Sequence, residues 1–191
     1  MNAISLQAPF NPEALLALRA GENVLVSGII YTARDAAHAR LCAALNEGQE
    51  LPIDLKGQTI FYAGPTPTPP GKASGAIGPT TAMRMDAFTP ALLRYGVNAM
   101  IGKGERNDAV KAAIRECGAV YFAAAGGCAA YMSACIEKVA VVAYDDLGTE
   151  SIKRLTVKNL PLTVAVDAFG NDFYLEGAEA YRASCRQGRC S

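Results

Sequence analysis

The sequence predicts an α/β domain with a mixed sheet and flanking helices, on three observations. Its earlier part alternates β-branched runs with stretches of helical spacing. Its last third offers extended runs separated by turn residues instead of helices. Its 191 residues, 51% of them apolar, are enough to bury one ordinary core.

Taken in order, a short helix spans Pro12 to Arg19, and VLVSGIIYT from Val24 to Thr32 is a strand. RDAAHARLCAALNEG comes next as a helix on the spacing of Ala37, Leu41 and Leu45. IFYAGP from Ile60 is a strand that runs into TPTPPGKASGAIGP, a loop whose prolines and glycines forbid regular structure. DAFTPALLRYG reads as a helix, NAMIGKG as a short strand, and ERNDAVKAAIREC as a helix ended near Gly118. The segment from Gly118 to Ile136 carries no charge and no leucine and has a Gly-Gly in its middle. It therefore reads as a buried strand, a tight turn and a short packed helix, not as a membrane span. VAVVAYDDL continues the alternation. SIKRLTVKNLPLTVAVDAFGNDFY then supplies hairpin-like strands, broken at Asn-Leu-Pro and at Phe-Gly-Asn. A single domain over residues 1–176 is expected, with a loose C-terminal tail over 177–191.

Composition excludes several classes of function. Eighteen basic and eighteen acidic residues cancel, without a dense Lys/Arg run, which speaks against nucleic acid and anionic membranes as partners. The N-terminus has neither the charged region nor the unbroken apolar region of a secretory signal, so the expected location is the cytoplasm. Cys42, Cys117, Cys128 and Cys135 sit in apolar contexts and read as core residues; Cys185 and Cys190 lie in a polar terminal context. With no CxxC pair, and His38 as the only histidine, a zinc or iron–sulfur site built from this chain alone is hard to assemble. GPTPTPPGKA has the wrong spacing for a P-loop and places Ala73 where a magnesium-binding hydroxyl belongs; no GxGxxG occurs.

GPTTAMRMD, Gly78 to Asp86, carries more information. Gly-Pro followed by Thr-Thr predicts a helix entry, at which Thr80 caps backbone N–H groups. The i,i+4 spacing of Thr80 and Arg84 then puts a hydroxyl and a guanidinium on one face at the positive end of the helix, a setting suited to a carboxylate. In the plainer reading Thr80 only caps, and Arg84 pairs with Asp86 or Glu105. Arg34 and Lys103 each come just after a predicted strand, where open α/β sheets hold ligands. The glycines flanking Lys103 admit close backbone approach. Arg34, Arg84 and Lys103 together would neutralise a small polyanion, the alternative for Arg34 being a surface pair with Asp35. His38 reads as a structural hydrogen-bonder and not as a general base.

The ordered set SGIIYTARDAAH, GPTTAMRMD, MIGKG and VAVDAFGNDFY resembles the β subunit, or C-terminal domain, of the iron–sulfur hydro-lyases of the class I fumarase and tartrate dehydratase type, from about Gly21 to Tyr174. The sequence departs from that family's pattern at Met83 and Glu105, where glycine is common. The resemblance implies a swivelling-type β/β/α domain, with Arg34, Thr80, Arg84 and Lys103 binding substrate and Thr80 also catalytic. It further implies a cluster-bearing α subunit as partner, in an α2β2 assembly. On that partner would sit a four-iron four-sulfur (4Fe-4S) cluster with one iron open to substrate. The implied reaction adds or removes water on a small dicarboxylate or hydroxy-diacid. Such chemistry needs cations where carboxylate charge develops, a group that moves a proton, and a Lewis acid for the hydroxyl. A carboxylate-binding or regulatory domain without catalysis is the alternative.

Overall fold

In a computed structural model, which describes residues 3–186, seven strands form one mixed sheet. They are β1 (Ile4–Ala8), β2 (Asn23–Thr32), β3 (Thr59–Phe61), β4 (Ala99–Gly102), β5 (Val120–Ala123), β6 (Ile136–Ala143) and β7 (Ile152–Val166), in the order β1-β2-β3-β4-β5-β7-β6. The pairings from β1 to β5 are parallel, and β7 is antiparallel to β2, β5 and β6. Because β7 is long enough to pair with β5 near one end and with β2 along most of its length, β2, β3, β4, β5 and β7 close into a barrel. Closure pairs those five strands with one another and leaves β1 and β6 as the outer strands of the sheet.

The helices are α1 (Pro12–Ala17), α2 (Asp35–Asn46), α3 (Thr89–Tyr95), α4 (Asp108–Cys117), α5 (Ala129–Ala134) and α6 (Phe173–Arg186). Alternate residues of the short strands feed two cores. Phe61, Ile101 and Phe122 join a cluster with Val26, Ile30 and Val164. Ile60, Met100 and Tyr121 join another, with Leu41 of α2, Leu92 of α3 and Ile114 of α4. Burial of both faces explains why β3, β4 and β5 read as nearly continuous apolar runs. Helix α4 ends at Gly118 as expected, in the left-handed conformation at φ 64°, and at its start the Asn107 side chain accepts the Val110 N–H at 2.9 Å.

Three expectations are corrected, and one strand is unexpected. Asn-Leu-Pro is not a turn, and β7 runs through it. Ser27 of β2 faces both Lys158 and Asn159 in a bulge, with Asn159 at φ 52° and its N–H bonded to Ser27 Oγ at 3.0 Å. Pro161 is tolerated between the last residue paired with β6, Val157, and the first paired with β5, Thr163. The expected loose tail is helical through Arg186; α6 carries Cys185, and Cys190 lies outside the described residues. Cys42 is buried and Cys135 half-buried as expected, but Cys117 and Cys128 are exposed. Strand β1 had no counterpart in the sequence reading. It lies against β2 where Gly28, at φ 109°, lets Ala8 O approach to 2.1 Å from the position a Cβ would take.

A buried ion pair ties the helices to the barrel. Arg106 Nε donates to Asp86 Oδ1 at 2.7 Å and Nη2 to Thr89 Oγ1 at 2.7 Å, while Asp86 Oδ2 accepts the Asn107 N–H at 2.8 Å. The guanidinium carbon lies 5.3 Å from the Tyr62 ring centre and 4.9 Å from that of Tyr121. His38 is also fully buried. Its Nδ1–H donates to Arg34 O at 2.9 Å, its ring meets Tyr62 edge-on at 5.2 Å, and Nε2 has no partner among the described residues. Burial, aided by the Arg106 charge, pushes its pKa down to about 4, so the imidazole is neutral and structural.

Two outcomes are expected. Replacing Asp86 with Ala leaves Arg106 buried without its counter-charge and should cost roughly 3–5 kcal/mol in urea unfolding, with Asp86→Leu/Arg106→Met losing less. His38 binds a proton more readily unfolded, at the ordinary 6.5, than folded, at about 4, so stability should rise with pH across that window. Between pH 7 and pH 5 the loss should be about 2 kcal/mol, and His38→Phe should show a correspondingly flatter profile.

Candidate functional site

Strands β2, β3 and β4 run parallel, so their carboxyl ends share one rim, and the four sequence-predicted residues lie just beyond those ends. Arg34 takes the N-cap position of α2 with extended backbone at φ −125°. Its Nη2 donates to Glu150 Oε1 at 2.9 Å, and Glu150 Oε2 accepts the Ala36 N–H at 2.9 Å. Glu150 thus satisfies both the guanidinium and a free N–H of the first helical turn. A side chain at Gly64 would put its Cβ 3.0 Å from Arg34 Nη1 and 2.8 Å from Thr149 Cγ2, so glycine is required there. Arg34 Nε is buried without a partner among the described residues.

Thr80 departs from the expected helix entry. Its N–H donates to Tyr62 O at 2.7 Å, its carbonyl accepts the Lys103 N–H at 3.2 Å, and the Ala82 N–H donates to Lys103 O at 2.9 Å. Thr81 therefore pairs with Lys103 as an extra parallel bridge of the sheet. With its backbone committed to the sheet, Thr80 cannot start a helix. The chain continues instead into a 3-10 turn, Ala82–Met85, that has no side-chain cap. The Thr80 hydroxyl makes no hydrogen bond among the described residues.

The arginine partners also differ from those expected. Arg84 pairs with Asp35 and not with Asp86 or Glu105: Nε donates to Oδ1 at 2.9 Å, and Nη2 lies in close charge contact with Oδ2 at 2.8 Å. Asp86 is unavailable because buried Arg106 holds it, and Arg34 pairs with Glu150 instead of Asp35. Asp35 is the next residue after Arg34, so its pair with Arg84 brings the two arginines to one stretch of the rim. Lys103 is exposed and has no ion-pair partner among the described residues. The glycines beside it serve the scaffold. A Cβ on Gly102 would fall 2.9 Å from Tyr62 Cδ2 and 3.0 Å from Ala82 Cβ, and Gly104 has φ 85°.

Sequence reasoning missed the residues that hold this rim. Glu150 lies in DDLGTES, which matches no motif, and Asp35 was read only as a neighbour of Arg34. The VDAFGNDFY stretch finds its role here. Asp167 accepts the N–H groups of Phe169 and Asn171, each at 3.0 Å, closing the turn that leads into α6. From α6, Tyr174 OH accepts the Gly104 N–H at 3.2 Å, and Tyr121 OH donates to Gly104 O at 2.9 Å. The loop carrying Lys103 is thereby clamped from two sides.

Two resident carboxylates offset two arginines on this rim and Lys103 remains unpaired, a balance suited to a small anion exchanging with the resident pairs. Among the described residues, no group of three or more His, Cys, Asp or Glu is placed to hold a metal ion. No helix among them is long and apolar enough to cross a membrane.

Comparison with known proteins matches residues 1–177 to the model of the family described as Fumarase C-terminus. The anaerobic class I fumarate hydratase of Escherichia coli K12 is 39% identical over 162 residues, which are 84% of this chain and 30% of that protein. Fumarate hydratase 2 of Leishmania major is 37% identical over 156 residues, 81% of this chain and 28% of the relative. A Methanocaldococcus jannaschii protein named "Putative L(+)-tartrate dehydratase subunit beta" is 36% identical over 165 residues, 83% of this chain and 85% of its own length. This chain thus spans less than a third of the two fumarate hydratases and most of the β subunit. By the family match over residues 1–177, the chain belongs to the Fumarase C-terminus family.

Proposed function

We propose that the chain is the β subunit of a heteromeric iron–sulfur hydro-lyase. In this reading it works in the cytoplasm and reversibly adds or removes water on a small diacid, either fumarate/malate or tartrate/oxaloacetate. The observation that carries the proposal is the meeting of Arg34, Thr80, Arg84 and Lys103 beyond the carboxyl ends of three adjacent parallel strands. The names of the relatives support the class of reaction.

Dehydration takes a proton from the carbon beside a carboxylate and hydroxide from the next carbon, and negative charge spreads onto that carboxylate as the proton leaves. Arg84 and Lys103 stabilise this charge, since both are accessible from solvent. Arg34 contributes a donor, Nε, that no group among the described residues uses. The free hydroxyl of Thr80 passes the proton at the reacting end. In the hydration direction the same groups act in reverse. The 4Fe-4S cluster resides on the α partner in this reading, because the described residues of this chain do not assemble a ligand set for it. The partner itself is supported by the β-subunit relative and by exposed Met83 next to Arg84, and α2β2 is the proposed assembly.

The chain purified alone should carry no stoichiometric iron and turn over no diacid, with activity appearing on anaerobic assembly with the α subunit. Iron together with turnover in the lone chain would refute the partition. In the assembled enzyme, Arg84→Lys keeps the charge but loses the planar donor pair. It should cost roughly 2–5 kcal/mol of transition-state stabilisation, about thirtyfold to several thousandfold in kcat/KM. Thr80→Val should lower kcat more than it changes KM. Near-normal turnover in both variants, at unchanged Tm, would return this rim to a purely structural role.

A further inference from the structure

We propose that Lys153 is a positioning residue for Arg34, acting through Glu150; this rests on the reading of Arg34 as a substrate-binding cation. Lys153 lies on β7 and is 8% exposed, yet no carboxylate pairs with it among the described residues. Its ammonium instead donates to Gly148 O at 2.8 Å, Thr149 O at 3.2 Å and Ser151 Oγ at 2.6 Å, with Ser151 O at 3.4 Å. All four acceptors belong to one short stretch, the end of the 3-10 turn Asp145–Glu150 and the residue after it.

A buried ammonium with no carboxylate in bonding contact is a costly way to fill space, and an apolar side chain would pack there more cheaply. What the ammonium supplies is convergence: it gathers backbone oxygens that would otherwise diverge across a segment interrupted at Gly148, with φ 56° and ψ −112°. Glu150 lies inside the gathered segment. Its carboxylate reaches α2 and fixes Arg34 Nη2 through Oε1 and the Ala36 N–H through Oε2. Thr149, whose carbonyl is tethered by Lys153, also crowds the same Cβ position at Gly64 as Arg34 Nη1. The other end of the segment is clasped independently, by Arg40 Nη1 on Asp146 Oδ1 at 2.8 Å and Nη2 on Oδ2 at 2.6 Å. Arg34 is thus held by a carboxylate whose own segment Lys153 tethers, and its buried Nε has no partner among the described residues.

The test is a set of double-mutant cycles in the chain assembled with its α partner, with fumarate, malate and L(+)-tartrate as probes. Lys153→Met and Glu150→Gln should each raise KM by roughly tenfold with kcat within about threefold of wild type. In an Arg34→Ala background neither should change KM further, because the group they aim is gone. Effects that add fully to Arg34→Ala, or a wild-type KM in Lys153→Met, would overturn the proposal. If Lys153→Met does not fold, Ser151→Ala, which removes the 2.6 Å acceptor of the ammonium and leaves the Glu150–Arg34 pair in place, decides by the same criterion. Failure of the underlying reading looks different: Arg34→Ala itself would leave KM unchanged, and the positioning role would fall with it.

Discussion

The Arg106–Asp86 pair is the interaction on which the arrangement of this domain depends. It joins the 3-10 turn after Thr81 to the entry of α4, and through Thr89 it also holds the start of α3. Two charges removed from water would be a liability if either had to find other partners. Here each is satisfied: the guanidinium lies near two tyrosine rings and bonds a hydroxyl, and the carboxylate takes a backbone N–H. The pair also decides chemistry at a distance. By occupying Asp86 it leaves Arg84 to turn outward and meet Asp35 on the rim.

The second constraint is closure of the barrel. Short strands β3, β4 and β5 have no room for irregularity, and all their residues but Ala123 at the end of β5 are buried. Variation is pushed to the ends of the strands, where the parallel order of β2, β3 and β4 gathers three loops. Functional groups collect there because the loop backbones are fixed by the sheet: the Thr81–Lys103 bridge extends it by one step, and the tyrosines at Gly104 lock the next residue. Preorganisation of this kind keeps cations in place before any ligand arrives.

Each arginine on the rim has a resident carboxylate, and this bears on the proposed reaction. An incoming diacid would exchange with Asp35 or share a guanidinium with Glu150, so affinity rests on a difference between two ion pairs. A site that releases its product as readily as it binds its substrate benefits from such a balance. The rim is also open, with Arg84 and Lys103 exposed, and the fumarate hydratase relatives carry more than twice as much additional chain as this one aligns with. Covering the rim would supply the dry surroundings in which charge stabilisation is strongest.

Much of this was legible in the sequence because it depends on local pattern. The β-branched run at Val24, the helical spacing of Ala37 and Leu41, the glycine stop at Gly118 and the uncharged strand-turn-helix after it are each set by steric and solvation rules acting over a few residues. Arg34 and Lys103 are legible as cations just after strands, and Thr80 and Arg84 through the spacing of GPTTAMRMD, although the helix entry it predicts does not form. Tertiary structure decided which partners they meet. Glu150 is 116 residues from Arg34, and Asp35 is 49 from Arg84, separations at which no local rule operates. It also turned an apparent helix entry at Thr80 into a sheet extension, because the backbone groups of Tyr62 and Lys103 were there to pair with it. Asn-Leu-Pro became a bulged strand for a like reason: β2 alongside supplied a Ser27 hydroxyl for the one conformation the turn signal had marked.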